Sequence, residues 1–301
     1  MRDTLKQVVK NTICIECKLP HDESGVNKSC LSTNNDICFK NENSEDLAKV
    51  IYNGIVEFAV NQYDIDYDNL ALEQRKVILR RMRYDPSASK TAKIRYGFYG
   101  EVLLDLILRC FLNTNVILAR GYLYSPIENS EVKGFDAFHI VENKEKLDLW
   151  LGEAKFYVDF KKPITDVLAK TKTSLSDDYV HTNLLALIDW QDRFTTSSTR
   201  LKSILDMWEE NPEINLAQQM TEHQIRLTYP VFIAYQQKQS DEFHASIKKC
   251  IEHIDSEFKR LNVTIPGSFE HRLFFIFLPL SEVKKIKESV VEWIDSQEPL
   301  I

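Results

Sequence analysis

The chain has no apolar run close to the roughly 20 residues a membrane-crossing helix needs, and Met1 to Lys10 is a polar start without the apolar segment of a secretory signal. These absences point to the cytoplasm and away from a membrane. No GxxxxGK[ST] or GxGxxG loop is present, so neither nucleoside triphosphate nor dinucleotide binding has a motif to stand on. Covalent hydrolysis lacks one too, for there is no GxSxG elbow and no persuasive Cys/His pairing. The 7 histidines are scattered, without HxxxH or HxH spacing. Also missing is an excess of positive charge. With 38 Lys and Arg against 45 Asp and Glu the formal charge is -7, which argues against a strong unaided grip on nucleic acid, since neutralisation of phosphates by Lys and Arg dominates that affinity. Either binding is local or a partner supplies it. There is no internal repeat and no low-complexity linker.

What is there suits a folded α/β protein. The 301 residues, 44% of them hydrophobic, can build a substantial core. Basic residues gather in two places, Arg80, Arg81, Arg83, Lys90, Lys93 and Arg95, then Lys155, Lys161, Lys162, Lys170 and Lys172; solvated helix faces would account for them as well as a nucleic-acid contact would. Six cysteines in a cytoplasmic chain are not expected to form structural disulfides. Cys110 and Cys250 fall inside apolar helical patterns and read as buried thiols. Cys14, Cys17, Cys30 and Cys38, with His21 nearby, start like a zinc site but are spread too widely for a knuckle, so the alternatives are a zinc centre or ordinary half-buried cysteines.

Met1 to Asn43 is polar and reads as a small strand-and-loop element. Ser44 then looks like the cap of a helix running to about Gln62, and a second helix spans Asn69 to Arg83, ahead of Asp85-Pro86. The best-patterned helix runs from about Ala92 to Asn113. Then the period changes: Val116 to Tyr124, Asp136 to Glu142 and Leu147 to Val158 read as strands of a meander, parted by turn-rich Ser125 to Gly134 and Asn143 to Lys146. Helices follow over Pro163 to Leu175, Val180 to Phe194 and Arg200 to Glu209, the last ending at Pro212. A strand at Arg226 to Tyr235, a helix at Asp241 to Asn262, a strand at His271 to Leu278 and a helix at Ser281 to Ser296, capped by Ser281, complete the chain. That order describes a mixed sheet flanked by helices. The expected organisation is an amino-terminal extension over 1–88 and a main domain over 89–301, with a helical insertion around 176–222.

Strand periodicity gives chemistry to Leu147 to Val158. Residues two apart share a face, so Glu153 and Lys155 point the same way, while Trp150, Gly152, Ala154, Phe156 and Val158 form an apolar face for a helix to cover. On the strand before it Asp136 is a charge among Phe135, Ala137 and Phe138. Charges in apolar surroundings are costly unless paired or bound to metal. Phosphodiester hydrolysis gives a reason for them: two carboxylates hold Mg²⁺ (or Mn²⁺) through oxygen, and an ammonium orients the attacking water or offsets charge on the phosphorane. Asp136 and Glu153 would be the metal ligands, with the Ala154 carbonyl as a further one, Lys155 the catalytic cation, and Glu101 a fourth candidate on the preceding helix. An ExK triplet alone arises by chance about once in a chain this long. The alternatives are a cross-strand ion pair for Glu153 and Lys155, a turn-proximal carboxylate for Asp136, and a surface partner of Arg95 or Lys93 for Glu101. His139 should face away from Asp136 and be structural.

Three stretches, GFYGEVLLDLIL at Gly97 to Leu108, EVKGFDAFHIV at Glu131 to Val141 and LGEAKFYVDF at Leu151 to Phe160, resemble the HamA family of the Hachiman antiphage defence systems. The resemblance weakens to architecture alone after Lys162. It implies a PD-(D/E)xK restriction-endonuclease-like fold, α/β with a mixed sheet flanked by helices, and carries the family's Asp and ExK positions onto Asp136, Glu153 and Lys155, with Glu101 following from the GE of the helix. Phe135 stands where the superfamily's name has proline. It further implies a Mg²⁺-dependent deoxyribonuclease held in check by a partner, the superfamily 2 helicase HamB, which would deliver the DNA that an acidic chain holds poorly. The alternative within the same resemblance is a catalytically idle nuclease-fold adaptor of the helicase complex.

Overall fold

The computed structural model describes residues 1–301 apart from 83, 126–129, 132–133, 144–145, 189, 195–197, 212 and 214. Arg83 of the first basic group, the centres of the expected turns at 125–134 and 143–146, and Pro212 lie outside the described residues.

The amino-terminal stretch, expected as strand and loop, begins instead with helix α1 (Asp3–Thr12), which buries Leu5 and Val9, four residues apart on one face. Strands β1 (Ile13–Leu19) and β2 (Asp36–Asn41) then pair antiparallel. Helix α2 (Ser44–Ala59) is capped by Asn43, one residue earlier than expected, whose side chain accepts the N–H groups of Glu45 and Asp46. Helix α3 covers Leu70–Arg80. The single helix expected over Ala92 to Asn113 is two, α4 (Lys90–Lys93) and α5 (Phe98–Phe111). Between them the Lys93 carbonyl takes the Tyr96 N–H and the Tyr99 hydroxyl, so it is satisfied without carrying α4 onward.

The strand expected over Val116 to Tyr124 shrinks to β3 (Asn115–Val116), because the chain turns at Arg120–Leu123 in a buried 3₁₀ segment. A two-stranded ribbon, β4 (Tyr124–Ser125) and β5 (Ser130–Glu131), stands apart from the main sheet. Next come β6 (Ala137–Glu142) and β7 (Leu147–Tyr157), then helices α6 (Lys161–Ser174), α7 (Asp177–Ile188), α8 (Thr199–Glu210) and a short α9 (Leu216–Glu222) that periodicity did not announce. Strand β8 (Ile225–Gln236), helix α10 (Phe243–Leu261), strand β9 (His271–Leu280) and helix α11 (Val283–Ser296) close the chain. Ser281 does not cap α11: the cap position is Glu282, and the Ser281 hydroxyl meets that of Ser44 at 2.9 Å.

The seven-stranded sheet has the order β1-β2-β9-β8-β7-β6-β3. Neighbours from β2 to β7 run parallel, and β1, β6 and β3 add antiparallel edges, giving the mixed sheet flanked by helices that element order implies. The central strands are buried on both faces, which explains unbroken apolar runs such as Val231 to Tyr235 and Leu273 to Leu278. One face packs on α1, α2, α5 and α11, the other on α6, α7, α8 and α10.

Two glycines set how closely α5 lies on β7. A side chain at Gly100 would come within 3.1 Å of Phe156 Cβ, and one at Gly152 within 2.9 Å of Leu104 Cδ2. Both glycines therefore hold the helix that carries Glu101 against the strand that carries Glu153.

Candidate active site

Glu153 and Lys155 lie two apart on β7, share the face of Leu149 and Leu151 as the alternation requires, and form an ion pair with each other. Their side chains are 15% and 16% exposed, open enough to meet a ligand but well desolvated. The opposite face, with Trp150, Ala154 and Phe156, packs into the α5 core; Val158 does not join it, lying past the end of the strand and exposed. Asp136 immediately precedes β6. Its N–H donates to the Gly152 carbonyl at 2.8 Å, and its Oδ2 accepts the Ala154 N–H at 2.8 Å. These bonds follow from the register Ala137 opposite Gly152, and they lock the carboxylate beside the Glu153–Lys155 segment. On the other side the β7–β8 ladder pairs Trp150 with Thr228 and resumes at Glu153 with Val231. Pro230, opposite Gly152, has no N–H to donate, so the interruption falls directly ahead of Glu153.

Burial pushes the Asp136 carboxyl up to about 6, and the negative charge of Glu153 adds to it; Arg120, Lys155 and the Ala154 N–H work in the opposite direction. For Lys155, burial disfavours the ammonium, yet Glu153 and Asp136 outweigh it and hold the group above its ordinary value. The phenols of Tyr179 on α7 and Tyr229 on β8 are raised, first by burial and then by the same two carboxylates. Both rings meet Phe135 edge-on, at 5.5 and 5.8 Å, and so wall the site with aromatic surface.

Glu101 sits in the first turn of α5, and its carboxylate lies 3.8 Å from Arg120 Nε. Of the expected surface partners, Lys93 pairs instead with Asp295 at 2.8 Å. Arg120, which the sequence reading passed over, links Glu101 to the centre, since its charge acts on Asp136. The signal was present as a lone cation in the apolar run Ile117 to Leu123. His139 is buried away from the carboxylates, with Thr114 Oγ1 at 2.7 Å and Asp105 Oδ1 at 2.9 Å. Asp105 is in turn 3.0 Å from Arg109 Nε, so this triad braces α5 against β6 and β3.

Among the described residues no group of three or more His, Cys, Asp or Glu is placed to hold a metal. The zinc alternative is therefore not carried: Cys17 and Cys38 are buried and face each other across β1 and β2, while Cys14 and Cys30 are exposed. The centre built on Asp136 and Glu153 offers two carboxylates, which fits Mg²⁺, an ion that keeps several waters and takes one or two protein carboxylates, better than it fits an all-protein cage. Burial and the Glu153 charge, which together raise Asp136, are costs a divalent cation would offset.

The family model described as HamA matches residues 6–294. No curated protein and no solved structure matches the chain.

Proposed function

Since the chain belongs to the HamA family, a family of antiphage defence proteins, we propose that it is the nuclease of its system, hydrolysing DNA phosphodiesters with Mg²⁺ (or Mn²⁺) at Asp136, Glu153 and Lys155. The observation that carries this reading is the Asp136 carboxylate held on the Ala154 N–H beside the Glu153–Lys155 ion pair of β7, its carboxyl raised to about 6 by burial and by Glu153. Asp136 and Glu153, with the Ala154 carbonyl, would hold the ion. Bound there, it would polarise the scissile phosphate and lower the pKa of a coordinated water.

The remaining work belongs to side chains. Lys155, held protonated by its two acidic neighbours, places a positive charge where the pentavalent phosphorus collects negative charge. The Ala154 N–H fixes the Asp136 carboxylate before substrate arrives, so no reorganisation is needed at the moment of reaction. Tyr179, Tyr229 and Phe135 exclude water from one side. Glu101 acts through Arg120 as a positioning residue. With a formal charge of -7 the chain depends on a partner for tight hold on DNA, and a HamB-like superfamily 2 helicase is the proposed one.

The test is a cleavage assay on phage and plasmid DNA, with Mg²⁺ or Mn²⁺ titrated in the presence and absence of the cognate helicase, comparing the wild type with Glu153→Ala and Asp136→Asn. Both variants should keep the fold and lose cleavage and phage protection together. Protection that survives both changes would establish the idle-adaptor alternative instead.

A further inference from the structure

A cleft of about 590 Å³ opens beside the candidate centre, lined among others by Arg81, Arg95, Tyr96, Phe98, Glu101 and Arg120. Its size is within the ~300–1,000 Å³ usual for ligand clefts. Arg120 belongs both to this lining and to the surroundings of Asp136, on which its charge acts, so one cation joins the cleft to the candidate carboxylates. Arg81 also lines a second cavity of about 300 Å³ with Lys76, Arg80 and Arg193. Together the two are lined by five arginines and a lysine against Asp64, Glu73, Asp85 and Glu101, a locally positive tract in a chain whose overall balance is acidic.

Within the tract Lys76 pairs with Glu73 at 2.6 Å, Arg193 lies 3.9 Å from Asp64 and Arg120 lies 3.8 Å from Glu101. Lys90 and Lys93, turned toward α11, are neutralised by Glu292 and Asp295. Arg80, Arg81 and Arg95, in the tract, have no carboxylate partner among the described residues; Arg81 lies over the Tyr122 ring at 4.2 Å, a contact that fixes the guanidinium plane without cancelling its charge. Tyr96 is half-buried in the cleft wall, its ring 6.5 Å from Phe98 and 5.8 Å from Tyr84. Unneutralised arginines beside a supported aromatic face are the elements that hold single-stranded nucleic acid, with phosphates on the guanidinium groups and a base on the ring.

Building on the nuclease reading, we infer that this tract seats the single strand that flanks the scissile phosphate, its backbone on Arg95, Arg81 and Arg80 and one base stacked at Tyr96. A duplex would not serve as well, because its bases are already stacked and leave Tyr96 unused.

The test is fluorescence anisotropy of the full-length protein with a labelled oligo(dT) and a blunt duplex of equal length, in EDTA, over a range of salt. Single strand should bind more tightly than duplex. Arg95→Glu should weaken it about tenfold and flatten the salt dependence by about one phosphate contact, with Arg95→Lys restoring most of both. Tyr96→Ala should weaken binding by roughly tenfold with the salt slope unchanged, the signature of lost stacking. Unfolding midpoints of the variants, with Arg95 exposed, serve as the folding control. Equal affinity for duplex, no measurable binding by the wild type, or variants that bind as the wild type does would overturn the proposal. No cleavage occurs in EDTA, so the two readings fail separately. Intact binding with no cleavage at any metal concentration sinks the nuclease alone, and intact cleavage with unaltered binding in the variants sinks the tract alone.

Discussion

Asp136 and Glu153 lie on neighbouring segments joined by the Ala154 N–H, and the Asp136 carboxyl stands near 6 in consequence of burial first and of the Glu153 charge second. A carboxyl raised above its unfolded value of 3.8 costs nothing where both states are protonated; the cost grows as pH rises from 3.8 through 6 and is complete above it. Asp136→Asn should therefore stabilise the metal-free protein at neutral pH, by on the order of 2 kcal/mol, and leave it unchanged near pH 4. Added Mg²⁺ should stabilise the wild type and not the variant, since only the wild type keeps both ligands. Denaturant unfolding at two pH values, with and without Mg²⁺, measures all four quantities, and a wild type indifferent to Mg²⁺ would count against the site.

Lys155 and Glu153 form one ion pair but should fail differently when removed. Lys155→Ala takes away the cation that opposes two carboxylates, so Mg²⁺ should bind as tightly or more tightly while cleavage falls about 10²–10³-fold. Glu153→Ala removes a ligand, so metal affinity and cleavage should fall together. Titration calorimetry with Mn²⁺ beside the cleavage assay separates the two; loss of metal binding in Lys155→Ala would show that the lysine holds the site together rather than acting in the chemistry.

Much of this was legible in the chain because a strand's period of two is a rigid rule: it put Glu153 and Lys155 on one face and the apolar set on the other before any fold was known. The mixed sheet followed from element order. What the sequence withheld was register. That Asp136 meets Ala154 depends on Ala137 lying opposite Gly152, and pairing between strands cannot be read from either strand alone. The same limit hid Arg120, whose role comes from a 3₁₀ turn where continued apolar residues suggested a strand. The division between α4 and α5 was missed because Tyr99, which takes up the Lys93 carbonyl, is a good helix residue by pattern and acts here through its hydroxyl.

Asp105 supplies the only carboxylate in the buried group of Asp105, Arg109 and His139. Burial opposes its charge, but Arg109 and His139 outweigh burial and depress its pKa, while burial holds His139 below its ordinary value and neutral. Asp105→Asn leaves Arg109, among the described residues, with the Glu57 carbonyl to meet its charge, and should cost about 3 kcal/mol. A depressed carboxyl stabilises the fold above its unfolded value of 3.8 and loses that contribution as pH falls through its folded value. Wild type and variant should accordingly keep a constant gap above about pH 5 and converge as pH falls below 3.8, which unfolding midpoints between pH 2 and 7 would reveal; a gap that stays constant into acid would assign the loss to packing.

Lys287 on α11 donates to the Phe156 carbonyl at 2.9 Å, directly after Lys155, and its ammonium lies over the rings of Phe156, Tyr99 and Tyr157 at 5.0, 5.1 and 5.6 Å. Burial lowers its pKa from 10.5 to about 8. For a base depressed in the fold, the unfolded chain holds the proton more firmly, so protonation favours unfolding. The penalty is complete below about 8 and disappears as pH climbs toward 10.5. From pH 7.5 to 9.5 the wild type should gain about 1–2 kcal/mol relative to Lys287→Met, which carries no proton to lose. The same variant lacks the hydrogen bond that steadies Phe156, so cleavage and metal affinity at fixed pH should both fall by a few-fold, since the loosened strand carries Glu153, Lys155 and the Ala154 N–H that holds Asp136. Parallel stability curves for the two proteins across that window would mean the ammonium is solvated, and the aromatic contacts would then be packing alone.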